Sequence, residues 1–418
     1  MRESGTRTEN LSDPGKEARQ RAGLLVVPAF DGYRAFAILG VVQLHLLKAS
    51  GAVETGDSGF LAWLTWATVG HAIEVLFVVS GFVVFLPTAA RDGRFGSLKG
   101  YAIRRAARLF PAYWMILALI LVLLAATSVT GIPLPSLRDV AINFTGLHVP
   151  VGLFVSGIST GFGVNPATWT LSVEICFYLV LPLVAGVYFR HPWIGLLIAG
   201  LVTVGWNEFF LHLGTINVNQ DLGLQGAEIL RLGVSSSLQL PSWAFSFALG
   251  MSGAWMFANR DLILAAMRGR LVTLMKVAGG ICLAYFAWRA GLRSDDAPFE
   301  LVAQQTRSTP WLAIGFSASL ATVMVAIALR PGAFGQVFSN QPVRWLGDIS
   351  YGIFLSHLVV VTFAGAALSL PTSGTVRSFL IWTLVVVPIS VLYGYLSARF
   401  LEQPIRRWAR RYGRRDEG

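Results

Sequence analysis

An arginine and a histidine stand eleven residues apart in the apolar stretch FDGYRAFAILGVVQLHLL, at Arg34 and His45. At about 100° per residue this spacing is three helical turns plus roughly 20°, so both side chains fall on one helix face, about 16 Å apart along the axis. Asp31 lies one turn before Arg34, placed to pair with it or with the helix N-terminus. An ionisable side chain inside a membrane span costs at least about 2.5 to 3.5 kcal/mol, so it faces the bundle interior or a water-filled cavity. More such groups recur in apolar company: His71 and Glu74 one turn apart in GHAIEVLFVVSGFVVF, Glu174 in NPATWTLSVEICFYLVLPL and His357 in ISYGIFLSH. Arg104, Arg105 and Arg108 sit in YAIRRAARLFPAYW. Histidine suits general-base work, a carboxylate can orient an imidazole and stabilise its charged form, and guanidinium forks match phosphate oxygens. The plainer readings are an interhelical hydrogen bond for His45, headgroup contact for Arg34, a structural ion pair for Glu174 and topology anchors for the arginine triplet.

The elements that position these groups follow from composition. With 54% apolar and 13% charged residues, the 418-residue chain departs from the balance of about half apolar and a quarter charged found in soluble domains. The fold class expected is all-α, a polytopic transmembrane bundle of ten spans of about 20 apolar residues each. The spans are read at 32–50, 68–88, 109–130, 169–189, 193–211, 240–258, 272–290, 310–329, 349–369 and 377–400. With the N-terminus inside, 24 of the 33 Lys and Arg fall on inside segments and 7 on outside ones, so both termini are expected to be cytoplasmic. The net charge of +11 is then a topology signal with attraction to anionic lipid, and nucleic acid is not an expected partner.

Residues 1–27 are polar and read as a disordered cytoplasmic tail, not a signal peptide; 28–405 form the membrane domain and 406–418 a basic cytoplasmic tail that anchors to lipid. Cys176 and Cys282 fall within predicted spans, so neither a disulfide framework nor a metal site is implied, and no permanently bound cofactor is expected. The long outer connections are expected at 131–168, 212–239 and 291–309, with no appended soluble domain.

Taken together, the motifs resemble the acyltransferase 3 family of bacterial integral-membrane acyltransferases, over nearly the whole chain from Phe30 to Trp408. The resemblance is carried by Asp31, Gly32, Arg34 and His45 as a DGxR opening with Arg-x10-His, and by Arg104, Arg105, Arg108, Pro111 and Tyr113 as Arg-Arg-x-x-Arg followed by Pro-x-Tyr. It extends to Trp169, Thr170, Leu171 and Glu174 as Trp-(Ser/Thr)-Leu-x-x-Glu. Two departures stand out: Ser356 precedes His357 where an aromatic is usual, and Thr170 stands where serine is common. The resemblance implies a multi-pass protein of the bacterial plasma membrane that moves an acyl group, commonly acetyl, from acyl-CoA to a hydroxyl of a carbohydrate, cell-surface glycan or lipid. A secondary metabolite such as a macrolide is the alternative acceptor, and a proton-coupled transporter is the alternative from another class.

Within that reading His45 is the candidate base and Glu174 the group that orients it. Arg34, Arg104, Arg105 and Arg108 are the candidate donor-binding residues, with Asp31, Glu74, Tyr113, Trp169 and His357 in support. The Arg34–His45 stripe is expected to line one continuous cavity. His71, His148, His191 and His212 are given no role.

Overall fold

A computed structural model describes residues 27–53, 59–155, 162–267, 270–292 and 310–414. All but the last residue of the tail expected at 1–27, residues 293–309 of the connection expected at 291–309 and the last four residues lie outside the described residues. Within them the chain is all-helical. Ten long helices follow in order: α1 Pro28–Ala49, α2 Ala72–Ala89, α3 Leu98–Ala126, α4 Trp169–Arg190, α5 Pro192–Leu211, α6 Leu240–Ala258, α7 Arg270–Gly291, α8 Pro310–Leu329, α9 Gln341–Ala367 and α10 Val376–Ser397.

By length and composition, eight helical segments of the described chain are apolar enough to cross a membrane. The two long helices outside that set are α1, which carries Asp31, Arg34 and Lys48, and α6, whose sequence LPSWAFSFALGMSGAWMFA is diluted by small and polar residues. Both nevertheless sit at the centre, where α6 packs on α2 and α5, and α1 packs on α2 and α9. Their polarity is thus kept away from the rim, as expected where lipid cannot hydrogen-bond.

Small residues draw α2 and α6 to backbone contact. A Cβ on Gly81 would lie 2.1 Å from the Phe247 carbonyl oxygen, and one on Gly250 would lie 2.1 Å from that of Val78. Such approach gives dispersion contact where no hydrophobic force separates protein from lipid. By contrast only 11% of the apolar windows of α5 and α7 is buried, so these two helices form the outer rim.

Several boundaries differ from the expected ones for local reasons. α3 starts eleven residues earlier than read, because Ser97 caps it through the Gly100 amide and the helix runs through the arginine triplet and past Pro111. α9 likewise starts at Gln341, capped by Asn340. A helix at Phe60–Thr68 and a 3-10 turn at Val69–His71 lead directly into α2. The connections 131–168 and 212–239 are not bare loops: they carry short helices at Leu137–Thr145, His148–Phe154, Leu213–Gln220 and Gly226–Ser237. Beyond α10 a π-helical turn at Ala398–Glu402 leads into a helix at Gln403–Ala409 that packs on α3, so the start of the basic tail is part of the bundle.

Candidate active site

A cavity of about 580 Å³ opens between the C-terminal half of α1, the start of α2, the end of α3, the segment before α4 and the middle of α9. His45 is on its wall with Val41, Trp169 and Thr170. The Nδ1 of His45 meets the Val41 carbonyl at 2.7 Å, one turn back in the same helix. A carbonyl only accepts, so Nδ1 carries the hydrogen and Nε2 is left as the basic nitrogen. His357 obeys the same logic: its Nδ1 meets the Phe354 carbonyl at 2.6 Å, which makes its Nε2 an acceptor. That Nε2 lies 3.4 Å from His45 Nδ1, with the rings tilted 59° at 5.0 Å. His357 is fully buried, so its orientation is fixed by packing, while His45 is only partly buried.

Glu174 is engaged elsewhere. Its Oε1 accepts from Ser80 Oγ at 2.8 Å and from Tyr178 Oη at 2.5 Å, so the group beside His45 is His357 and not Glu174. The reason is axial position: Trp169, at the start of α4, reaches the cavity, and Glu174 is five residues, about 7.5 Å, further along the helix.

At the opposite end of the stripe the charges converge. Arg34 Nη1 lies 3.7 Å from Asp31 Oδ1, and Arg34, Arg108, Glu174 and Tyr178 stand within electrostatic range of one another. Arg105 stacks its guanidinium over Tyr178 at 5.5 Å and Tyr101 at 5.9 Å, and its buried Nε has no hydrogen-bond partner among the described residues. A buried cationic donor without a protein acceptor is a place for an anionic oxygen. Arg104 is half-buried on the same helix. Glu402, buried at the π-helical turn and bonded by Ser397 Oγ at 2.9 Å, brings a further carboxylate within range of Arg108 and Arg406.

The stripe is therefore not one continuous cavity. Val41 and His45 line the cavity described above, whereas Ile38, as buried in the main apolar core as Val41 at 4% exposed, is not on its wall. Of the supporting residues, Tyr113 donates to the Asn143 carbonyl at 2.6 Å and ties α3 to the connection 131–168. Trp169 packs edge-on to Phe77 and beside Trp243. Glu74 pairs with His71 at 2.8 Å, both buried, at the 3-10 turn that leads into α2. His148 lies outside the long helices, and burial pushes its imidazole down to about 4. His191 and His212 are exposed.

Tyr178, Ser80 and Glu402 join the candidate site and were missed by sequence reasoning. Tyr178 was findable, being one turn after Glu174; Ser80 is 94 residues from its partner and required the tertiary structure.

The family model described as an acyltransferase domain, acyltransferase 3, matches residues 27–397. Among curated proteins the chain is similar to the peptidoglycan O-acetyltransferase OatA of Listeria monocytogenes, 26% identical over 403 residues, covering 91% of this chain and 56% of that protein. It is also similar to the putative peptidoglycan O-acetyltransferase YrhL of Bacillus subtilis, 24% identical over 398 residues, covering 91% and 55%. A putative O-acetyltransferase of Staphylococcus aureus is 23% identical over 417 residues, covering 91% and 57%. The chain spans about half the length of these relatives. No solved structure matches it.

Proposed function

This chain belongs to the acyltransferase 3 family and is an acyltransferase, and we propose that it moves an acetyl group from acetyl-CoA to a hydroxyl of a glycan, lipid or other alcohol brought to the His45 cavity. The observation that carries the reading is the tautomer forced on His45 by the Val41 carbonyl, which leaves a basic Nε2 on a residue lining a cavity large enough for an acceptor.

In the transfer step the acceptor oxygen gives its proton to His45 Nε2 as it bonds to the thioester carbonyl carbon. The carbon–sulfur bond then breaks and the proton passes to the departing sulfur, so ester and thiol are the products. While His45 carries two protons, its Nδ1–H is held by the Val41 carbonyl and the lone pair of His357 Nε2, a supporting role of the kind first expected of Glu174. Glu174 instead acts as counter-charge for Arg34 and Arg108 and fixes Tyr178.

The donor phosphates meet Arg104, Arg105 and Arg108, with Arg34 at the entrance to the stripe; the orphan Nε of Arg105 supports this assignment. With ten spans in a bacterial plasma membrane and both termini cytoplasmic, the arginine end faces the cytosol, where acyl-CoA is made, and the His45 cavity faces outward. The pantetheine arm then has to pass Ile38 to bring the thioester to His45. Residues 28–405 form the catalytic domain, and 1–27 and 406–418 are cytoplasmic flanks, the second packed on α3 at its start.

The test is incubation of membranes holding the protein with labelled acetyl-CoA and a panel of sugar, glycolipid and macrolide acceptors. Ester formation that depends on His45 is the expected result. Thiol release and ester formation that are the same with and without the protein would reject the reading.

A further inference from the structure

The walls of the His45 cavity carry information about the acceptor that the chemistry of transfer does not. Most of its lining is aliphatic or aromatic: Leu44, Ile73, Leu124, Leu238, Leu358 and Phe363 come from five different parts of the chain. The few polar groups are largely committed to the backbone. Asn165 Nδ2 donates to the Leu355 carbonyl at 2.9 Å and its Oδ1 accepts from the Ala167 amide at 3.2 Å, while Thr170 Oγ1 donates to the Ala167 carbonyl at 3.3 Å.

A bare glycan entering this space would lose water from several hydroxyls at once, each costing more than an ordinary hydrogen bond returns unless a partner waits. Such partners are sparse among the described residues of the wall. Nor does the volume belong to the acyl group: acetyl occupies roughly twice the ~30 Å³ of a water molecule, a small part of about 580 Å³. We propose that the acceptor is an amphiphilic alcohol, one reacting hydroxyl presented to His45 by an apolar body that fills the cavity beside Leu124, Leu238 and Phe363. This rests on the acyl-transfer reading above. It departs from the names of two relatives, one a peptidoglycan O-acetyltransferase and the other a putative one. The same chemistry describes a membrane glycolipid and a soluble hydrophobic metabolite, and the two are separable by experiment.

Purified protein in lipid nanodiscs is given labelled acetyl-CoA with methyl, butyl, hexyl and octyl β-glucoside below their micelle points, a bare N-acetylglucosamine oligomer, or a diacyl glucoside built into the disc. Released thiol and ester product are both measured. The expected result is an acceptor KM that falls about two- to fourfold per added methylene, the upper figure being the transfer value for a fully buried CH2, with the donor KM constant. A glycolipid that outperforms octyl glucoside assigns the membrane source, and the reverse assigns the soluble one. Equal use of methyl and octyl glucoside, or preference for the bare oligomer, overturns the inference and leaves acyl transfer standing.

Binding is read separately, with a photoreactive diazirine octyl glucoside and no donor. The label is expected on peptides of the cavity wall and is expected to be lost in Leu124→Trp, which fills the space. Ile132→Asp, at a rim residue 50% exposed and so tolerated by the fold, is expected to weaken labelling at least fivefold. Labelling elsewhere, or unchanged in both variants, overturns the inference whatever the donor assay shows. Cavity labelling without thiol or ester release in any arm would instead remove the acyl-transfer reading on which the acceptor role depends.

Discussion

Replacing His45 by alanine separates chemistry from folding, because the two effects have different sizes. A positioned general base contributes typically 10² to 10⁴ in rate, a rise of about 2.7 to 5.4 kcal/mol in the barrier at 1.36 kcal/mol per decade. The stability cost is smaller. The ring is only partly buried, it borders open cavity, and the Val41 carbonyl it bonds is an ordinary helical acceptor within α1. Loss of that bond, and of the donor 3.4 Å from the buried His357 Nε2, costs about 1 to 3 kcal/mol. The assay is initial-rate ester formation from labelled acetyl-CoA in nanodiscs at saturating donor, paired with a melting curve of the same preparation. The expected outcome is a rate lower by at least a hundredfold with Tm lowered by a few degrees. Activity within tenfold of the unsubstituted protein would refute the base assignment, and so would a rate loss tracked throughout by unfolding.

Three further outcomes follow from the same geometry. His357→Phe keeps an aromatic ring and removes the acceptor 3.4 Å from His45, so kcat should fall about tenfold with both KM values steady; a raised KM alone would make His357 a packing residue. Arg105→Ala and Arg108→Ala should raise the donor KM far more than the acceptor KM, with lysine rescuing only in part because it loses the fork, and an unchanged donor dependence would return these residues to anchoring. In a background lacking Cys176 and Cys282, cysteines at Val41 and His45 should react with a small thiol reagent and one at Ile38 should not, which mass spectrometry of the labelled protein checks directly.

Most of the fold was legible because the signal is long-range in one dimension only: an apolar run of some 20 residues announces a span without any knowledge of its neighbours. The ends were less so. α3 and α9 both begin in polar segments whose helicity comes from a cap and from tertiary contact, not from hydropathy. The Arg34–His45 stripe was legible from helical geometry alone, yet what stands between the two residues was not. Ile38 is on the same face and is buried by neighbouring helices that the spacing cannot reveal. Glu174 shows the same limit: its type marked it for the site, but its depth along α4 gave it to Ser80 and Tyr178 while His357, from the far end of the chain, took the place beside His45.

The glycine contacts between α2 and α6 bear on how a group crosses this molecule. Two helices whose backbones touch at Gly81 and Gly250 have no side-chain layer to slide on, and any rocking of one against the other must first break main-chain contact along the seam. They act as a keel. A machine that carried its cargo by swinging halves would need that seam to be soft, as it is where repeats alternate about a fixed site. In the proposed reaction the scaffold would stay still and the small thing move: a two-carbon acyl group on a flexible thioester arm would pass along α1, and the yielding parts it needs are side chains such as Ile38. Stiffening the seam with a disulfide between the two helices should therefore leave turnover intact, while bulk added at position 38 should slow it.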